Sequence, residues 1–259
     1  MSRTRPLIIA HRGASGVAPE NTLAAARAAL DAGADMWEVD VTVTADGELI
    51  LMHDDTLTRT TDAASRYPDR APWAVSDFTA AEIATLDAGS WFTPSPDSPS
   101  FAGEHVPTLR EALLFTREHH WRINVELKAL PPDQAAFPLV DAVLALVHAL
   151  GMEEEVLISS FVHDYLREIQ KKAPRVPVAA LIGCGAEDQV DWETLMFPAY
   201  NLCALRAPQD WIRRLRAAGR GVNVWVVNDI SWMRYFIDQG VTGIFTDYPG
   251  RLYHLLEGE

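Results

Sequence analysis

Short apolar runs rich in β-branched residues recur along the chain. They alternate with stretches whose apolar residues fall at helical spacing. The runs are Leu7–Ala10, Met36–Val41, Trp121–Leu127, Val156–Ser160, Val178–Ile182, Asn201–Leu205, Val222–Val227 and Gly243–Thr246. Helical stretches fall between most of them: from Pro19-Glu20-Asn21-Thr22 to near Gly33, and over Thr108–His119, Pro132–Leu150, His163–Ala173, Gln209–Ala218 and Ile230–Gln239. Asn21-Thr22 reads as the first helix's N-cap, with Glu20 favouring the helix start through the dipole. Strand–helix alternation predicts βαβ units and a parallel sheet. Eight such strands, each with a helix to follow, predict an α/β fold of the closed (β/α)8, or TIM-barrel, type. An open doubly wound sheet is the competing fold, but no G-x-G-x-x-G turn follows any strand.

One stretch breaks the alternation. Residues Val41 to His53 read as two strands joined by Ala45-Asp46-Gly47, and Asp-Gly between β runs is a hairpin signal. The returning strand brings His53 back towards Glu38 and Asp40. The Pro-, Ser-, Asp- and Thr-rich segment that follows, about 54–106, is read as a small lobe inserted after the second strand of a single barrel domain covering 1–259. A structureless loop of that length inside a domain would be unusual.

Composition narrows the function. With 36 Asp and Glu against 22 Lys and Arg the formal net charge is −14. That argues against a sequence-independent grip on nucleic acid and favours cations near any acidic site. No apolar run approaches the roughly 20 residues of a membrane span, so no stable membrane insertion is expected. The short apolar run Leu7–Ala10 is no signal-peptide core, and a cytoplasmic location is expected. Cys184 and Cys203 lie in apolar runs without metal-ligand spacing and are read as buried small hydrophobes.

Barrel active sites sit at the carboxyl ends of the strands. Glu38 and Asp40 are two apart on the second strand and share a face, as do Asn124, Glu126 and Lys128 on the third. Glu38, Asp40 and Glu126 would then repel one another in a low-dielectric barrel mouth unless neutralised. A divalent cation resolves this, and all-oxygen ligation suits Mg2+ or Ca2+ better than Zn2+. His11 and His53 converge on the same mouth as candidate general acid and base. Arg12 and Lys128 add cations suited to phosphate oxygens, and Trp225 is placed as a pocket wall. Together they describe a pocket for a phosphoryl transition state.

These residues carry a family pattern. His11-Arg12-Gly13, Pro19-Glu20-Asn21-Thr22, Glu38-Val39-Asp40-Val41, and His53-Asp54 ahead of Leu57-Thr58-Arg59-Thr60-Thr61 resemble the glycerophosphodiester phosphodiesterase family. So do Gly89-Ser90-Trp91-Phe92, Val106-Pro107-Thr108-Leu109, Asn124-Val125-Glu126-Leu127-Lys128, Ser159-Ser160-Phe161 and Thr246-Asp247-Tyr248-Pro249, in the family's order along nearly the whole chain. The resemblance implies a (β/α)8 barrel with its insertion after the second strand. It implies hydrolysis of small glycerophosphodiesters, such as glycerophosphocholine or glycerophosphoethanolamine, to glycerol 3-phosphate and an alcohol. It also implies His11 and His53 as the acid–base pair, Glu38, Asp40 and Glu126 as ligands of Mg2+ or Ca2+, and Arg12 and Lys128 on the phosphate. Two other readings are weighed. A lysophospholipase D would use the same site on a lipid-bearing diester, with Trp73, Phe78, Trp91, Phe92 and Phe101 of the lobe forming an apolar groove. A phosphate-ester sensor without turnover would leave both histidines unexplained.

Overall fold

The computed structural model of the chain describes residues 5–93 and 99–258. In chain order its elements are β1 (Leu7–Ala10), α1 (Leu23–Asp31), β2 (Met36–Val43), β3 (Leu49–Leu51), α2 (Ala63–Arg66), α3 (Ala80–Ile83), α4 (Leu109–Glu118), β4 (Ile123–Leu127), α5 (Leu139–Leu150), β5 (Val156–Ser160), α6 (His163–Lys172), β6 (Val178–Ile182), β7 (Ala199–Cys203), α7 (Gln209–Ala217), β8 (Gly221–Trp225), α8 (Ile230–Gln239), β9 (Gly243–Thr246) and α9 (Pro249–Glu257). Eight parallel strands run β1-β9-β8-β7-β6-β5-β4-β2, and β2 pairs back onto β1 to close the barrel. The short β3 lies antiparallel on β2, with Val41 opposite Leu51 and Val43 opposite Leu49. The expected TIM barrel and the Asp46-Gly47 hairpin are both present.

Period-2 alternation divides the strand residues between two environments. Ile8, Ala10, Trp37, Val39, Val41, Val125 and Val224 join the large core between barrel and helices. Their neighbours Ile9, Met36 and Phe245 form a separate small cluster with Leu7, Leu157 and Trp225, which fills the inside of the barrel. Polar inward positions sit among these apolar ones and pair with one another. Asn124 donates to Ser159 Oγ at 2.9 Å and Asn223 to Asn201 Oδ1 at 2.8 Å. The outer core is anchored by Trp37, which stacks on Trp121 at 6.2 Å and donates its indole N–H to Thr116.

Local chemistry sets the helix bounds. Thr108 and Glu111 form a reciprocal capping box at the start of α4, a device worth about 1 kcal/mol. The expected helix over 132–150 divides: Pro132–Gln134 is a 3-10 turn, and α5 starts only after Pro138, whose ring has no N–H to continue a ladder. The expected strand over 201–205 is shifted two residues towards the N-terminus. It ends at Cys203 because Ala204–Arg206 turn as a 3-10 helix.

The inserted stretch leaves and re-enters at one edge. Ile50 bridges Thr108, and the Leu51 N–H donates to the Pro107 carbonyl. It carries its own small core of Leu57, Ala63, Val75, Phe78, Ile83, Leu86, Ala88 and Val106, joined by Ile50 and Met52. Residues 94–98 of the expected 54–106 insertion lie outside the described residues.

The cysteine expectation is corrected. Cys203 is buried, but Cys184 is exposed and the two form a disulfide with Cα atoms 5.4 Å apart. β6 and β7 are neighbours with Ile182 opposite Leu202, so the turn at Gly183 carries Cys184 onto the end of β7.

Candidate active site

Strand register assembles the acid trio. β2 and β4 pair with Glu38 opposite Asn124 and Asp40 opposite Glu126, so three inward carboxylates meet at the top of two adjoining strands. One oxygen from each of Glu38, Asp40 and Glu126 lies within 4.8 Å of the others. Glu38 is 2% and Asp40 1% exposed. The Arg12 backbone N–H donates to Glu38 Oε2 at 2.8 Å, while the buried Glu38 Oε1 has no partner. Burial, with Asp40 and Glu126 alongside, pushes the Glu38 carboxyl well above the usual range. Burial and Asp40 push Glu126 to about 7 against the pull of Lys128. Burial also works against Asp40, but Arg12, Lys128, His53 and the Asn21 amide outweigh it and hold its carboxyl below the usual range. The trio is thus a donor set of oxygens that carries its full charge only beside added positive charge, which suits a hard divalent cation.

Two expected helix-start residues work in this site. Thr22 alone caps α1, accepting from the Ala25 N–H. Asn21, with φ +56°, instead clasps Asp40, donating from Nδ2 at 2.9 Å and accepting from the Asp40 N–H at 3.2 Å. Glu20, expected to act through the helix dipole, accepts from Arg12 Nη1 at 2.8 Å and from both terminal nitrogens of Arg59. Arg12 is itself left-handed at φ +56°, an unusual conformation of the kind that clusters at functional sites. Gly13 follows at φ +81°, where a Cβ would meet the Ala25 backbone at 2.6 Å. The tight loop after β1 therefore needs a glycine where it crosses α1.

The two histidines are held alike. His11 Nδ1 lies 2.7 Å from Asp247 Oδ1, and His53 Nδ1 lies 2.7 Å from Asp54 Oδ1. A carboxylate only accepts, so each Nδ1 carries the proton and each Nε2 is left for the pocket that both rings line. Asp247 is fixed from behind by Asn228 Nδ2 at 2.6 Å and Ser15 Oγ at 2.9 Å. Burial opposes its ionisation, but His11, Asn228 and Ser15 outweigh that and hold its carboxyl below the usual range. Lys128 Nζ sits 3.3 Å from Glu126 and 3.6 Å from Asp40, and Arg12 Nε 3.1 Å from Asp40.

His11, Arg12, Glu38, His53, Glu126, Lys128 and Trp225 all line one cavity of about 70 Å3, floored by Leu181 and Phe245. Asp40 stands directly behind it. A second cavity of about 480 Å3 shares His53, Glu126, Lys128 and Phe161 with the first. Trp225 donates its indole N–H to the Asn201 carbonyl and meets Phe161 edge-to-face at 5.7 Å. All eight residues singled out from the sequence therefore gather in one place. The supporting Asp247, Asn228, Glu20 and Arg59 and the wall residue Phe161 were given no site role there. Four of them stood in quoted motifs, and Asn228 stood directly after the Val222–Val227 run, which are the signals that pointed to them.

A model of the glycerophosphoryl diester phosphodiesterase family matches residues 11–251, from the first site histidine into the last helix. Fold, site and match together define a (β/α)8-barrel hydrolase of phosphoric diesters. Among relatives, a glycerophosphodiester phosphodiesterase of Caldanaerobacter subterraneus subsp. tengcongensis is 34% identical, over 97% of this chain and 98% of the relative. One of Bacillus subtilis is 32% identical over 100% and 89%. Among solved structures, an Oleispira antarctica phosphodiesterase in complex with the product sn-glycerol-3-phosphate superposes with TM-score 0.83 at 27% identity, covering 98% of this chain and 97% of that one. A glycerophosphodiester phosphodiesterase of Agrobacterium tumefaciens gives 0.75 at 31%, covering 95% and 98%. The chain belongs to the glycerophosphoryl diester phosphodiesterase family.

Proposed function

We propose that this protein hydrolyses small glycerophosphodiesters, glycerophosphocholine and glycerophosphoethanolamine among them, to glycerol 3-phosphate and a free alcohol. The observation that carries the reading is the convergence of two carboxylate-backed imidazoles, two cations and a buried acid trio on one cavity. The product held by the Oleispira relative supports the substrate class.

Glu38, Asp40 and Glu126 are the residues that would hold Mg2+ or Ca2+. When bound, such a cation supplies Lewis-acid polarisation of a phosphate oxygen and neutralises charge developing at phosphorus. The protein's own groups do the rest. Arg12 and Lys128 hold the non-bridging phosphate oxygens. One imidazole Nε2 takes the proton of the attacking hydroxyl, from water or from the substrate's glycerol, as its oxygen bonds to phosphorus. The bond from phosphorus to the alcohol oxygen breaks, and the other imidazole, protonated on both nitrogens, delivers its Nε2 proton to that oxygen. Where the glycerol hydroxyl attacks, the cyclic phosphate left behind is then opened by water to glycerol 3-phosphate, with the two rings exchanging roles. Asp247 and Asp54 keep both rings in the required tautomer. Trp225 and Phe161 wall the pocket against water.

The test is glycerol 3-phosphate release across a panel of diesters, with and without chelator. Activity abolished by EDTA and restored by Mg2+ or Ca2+ is expected. Turnover indifferent to chelation would contradict the cation's role, and His53→Ala with undiminished turnover would contradict the acid–base pair.

A lysophospholipase D reading is favoured by one observation. A largely apolar cavity of about 260 Å3 follows β8, lined by Ala204, Leu205, Val226, Val227 and Trp232 together with Asn228 and Asp229, and Leu205 is 93% exposed. The lobe aromatics argue less for it, because Phe78 is buried and Trp91, Phe92 and Phe101 pack edge-to-face on one another. Faster release from glycerophosphocholine than from lysophosphatidylcholine favours the first reading, and the reverse order the second. The proposal treats residues 1–259 as one barrel domain with its insertion at about 54–106.

No helix among the described residues is long and apolar enough to cross a membrane. A cytoplasmic setting completes the proposal, and the Cys184–Cys203 bridge stands against it, since reducing compartments open most disulfides. An intact Cys184–Cys203 bridge in alkylation-quenched cell extract would contradict that setting.

A further inference from the structure

Glu20 and the segment Leu57-Thr58-Arg59-Thr60-Thr61 have no part in the chemistry above, yet the fold brings them together at the rim of the site. The turn is framed by its own side chains. Thr61 Oγ1 donates to the Leu57 carbonyl at 2.6 Å and accepts from the Ala63 N–H, while Thr60 and Leu57 are buried in the lobe. Arg59 projects from it towards the barrel, and all three nitrogens of its guanidinium donate to carboxylates. Nη1 and Nη2 donate to Glu20 Oε2 and Oε1 at 2.7 and 2.8 Å. Nε and Nη2 donate to Asp54 Oδ2 and Oδ1 at 2.5 and 3.0 Å. Each of those carboxylates has its next partner inside the site: Glu20 Oε1 accepts from Arg12 Nη1, and Asp54 Oδ1 lies on His53 Nδ1.

We infer that Arg59 is a positioning residue that ties His53 and Arg12 into one unit. A carboxylate bonded through one oxygen can pivot. With both oxygens held by a planar fork it cannot, and the imidazole it carries is fixed in both tautomer and direction. The same fork holds both Glu20 oxygens, one of them shared with Arg12, so Arg12 is steered without being captured and its remaining donors stay available for phosphate. Lysine cannot substitute, because a point charge does not grip two carboxylates in one plane. Two effects seen in the acids agree with this geometry: Arg59 and then His53 hold Asp54 down at about 2, and burial of Glu20 is outweighed by Arg59 and Arg12. The lobe is thereby part of the active site, since it supplies the clamp.

The inference rests on the proposed roles of His53 and Arg12. A plain surface ion pair makes a different forecast: Arg59 is 43% exposed, and such pairs add little stability and nothing to turnover. The experiment is steady-state kinetics of full-length Arg59→Met, Arg59→Lys, Asp54→Asn, His53→Ala and the Asp54→Asn/Arg59→Met double variant, each with its melting temperature. Arg59→Met is expected to melt within a few degrees of wild type, yet to lose kcat by about 10–100-fold with a smaller rise in KM. The double variant is expected to lose less than the product of the two single losses, because both changes release the same imidazole. Arg59→Lys is expected to stay at least about 5-fold below wild type, by the same loss of the fork. It carries the test should Arg59→Met fail to fold. Wild-type kcat in either folded Arg59 variant, or losses that multiply in the double variant, would overturn the inference. His53→Ala separates the two claims: inactive His53→Ala beside fully active Arg59→Met removes only the clamp, whereas active His53→Ala removes the functional reading beneath it.

Discussion

His11 and His53 each set Nδ1 against a carboxylate at 2.7 Å, but the two halves of the site are made from different material. The His11 half belongs to the barrel. Asp247 follows β9, and it is buttressed by Asn228 and Ser15, neutral donors on neighbouring strand ends. The Thr246 hydroxyl and the Asp247 backbone N–H in turn donate to the Asn228 side-chain Oδ1. The His53 half is borrowed from the hairpin and the lobe, is more open to solvent, and is secured by charge through Arg59 and Glu20. Neutral hydrogen bonds on rigid strands are indifferent to salt. An exposed chain of alternating charges is not. One pocket therefore holds a stiff imidazole and one whose order depends on electrostatics and on the lobe's seating.

The contrast can be broken first at the rings themselves. His11→Ala and His53→Ala should each cost on the order of 10²–10⁴-fold in kcat, and a tenth of wild-type turnover in either would dissolve the pairing. The carboxylates come next. Asp247→Asn and Asp54→Asn should both slow turnover by about 10–100-fold, whereas Asn228→Ala should cost less, because Ser15 still holds Asp247. Ionic strength then sharpens the comparison. At saturating substrate, kcat of Asn228→Ala should fall as NaCl is raised from 0.05 to about 0.5 M, and kcat of Arg59→Met should not. Parallel salt curves would show that charge does not order the His53 half.

The smallest effect is on stability and concerns what the halves share. Folded Glu38 and Glu126 keep protons that the unfolded chain releases near 4.5, so without a cation the folded state binds more protons and loses stability as pH rises from there through about 7. The melting temperature of chelated protein should fall between pH 5 and 8. Added Mg2+ or Ca2+ should raise it more at pH 8 than at pH 5. A cation effect equal at both values would contradict the proton-holding trio.

Much of this was legible because it is written in short periods. Alternation along β2 and β4 puts Glu38, Asp40 and Glu126 on the inner face without knowledge of the fold, and Asp46-Gly47 returns His53 to them. What was not legible joins residues that only the closed barrel makes neighbours. His11 and Asp247 are 236 positions apart, and closure of β1 on β9 is what brings them together. Glu20 looked like an ordinary helix start because its two arginines reach it from other segments. The end of β7 slipped by two residues where a 3-10 turn at Ala204–Arg206 outweighed apolar pattern, and the start of α5 moved from Pro132 to Leu139, past the missing N–H of Pro138. The Cys184–Cys203 contact depends on a turn at Gly183 whose direction no spacing rule gives.

The central claim is that Glu38, Asp40 and Glu126 hold a divalent cation between the two imidazoles. Crystals soaked in Mn2+ and measured at its absorption edge test this without recourse to activity. The account predicts one anomalous peak in contact with all three carboxylates, lost in Asp40→Asn. No peak there, or a peak that survives the substitution unchanged, would contradict it.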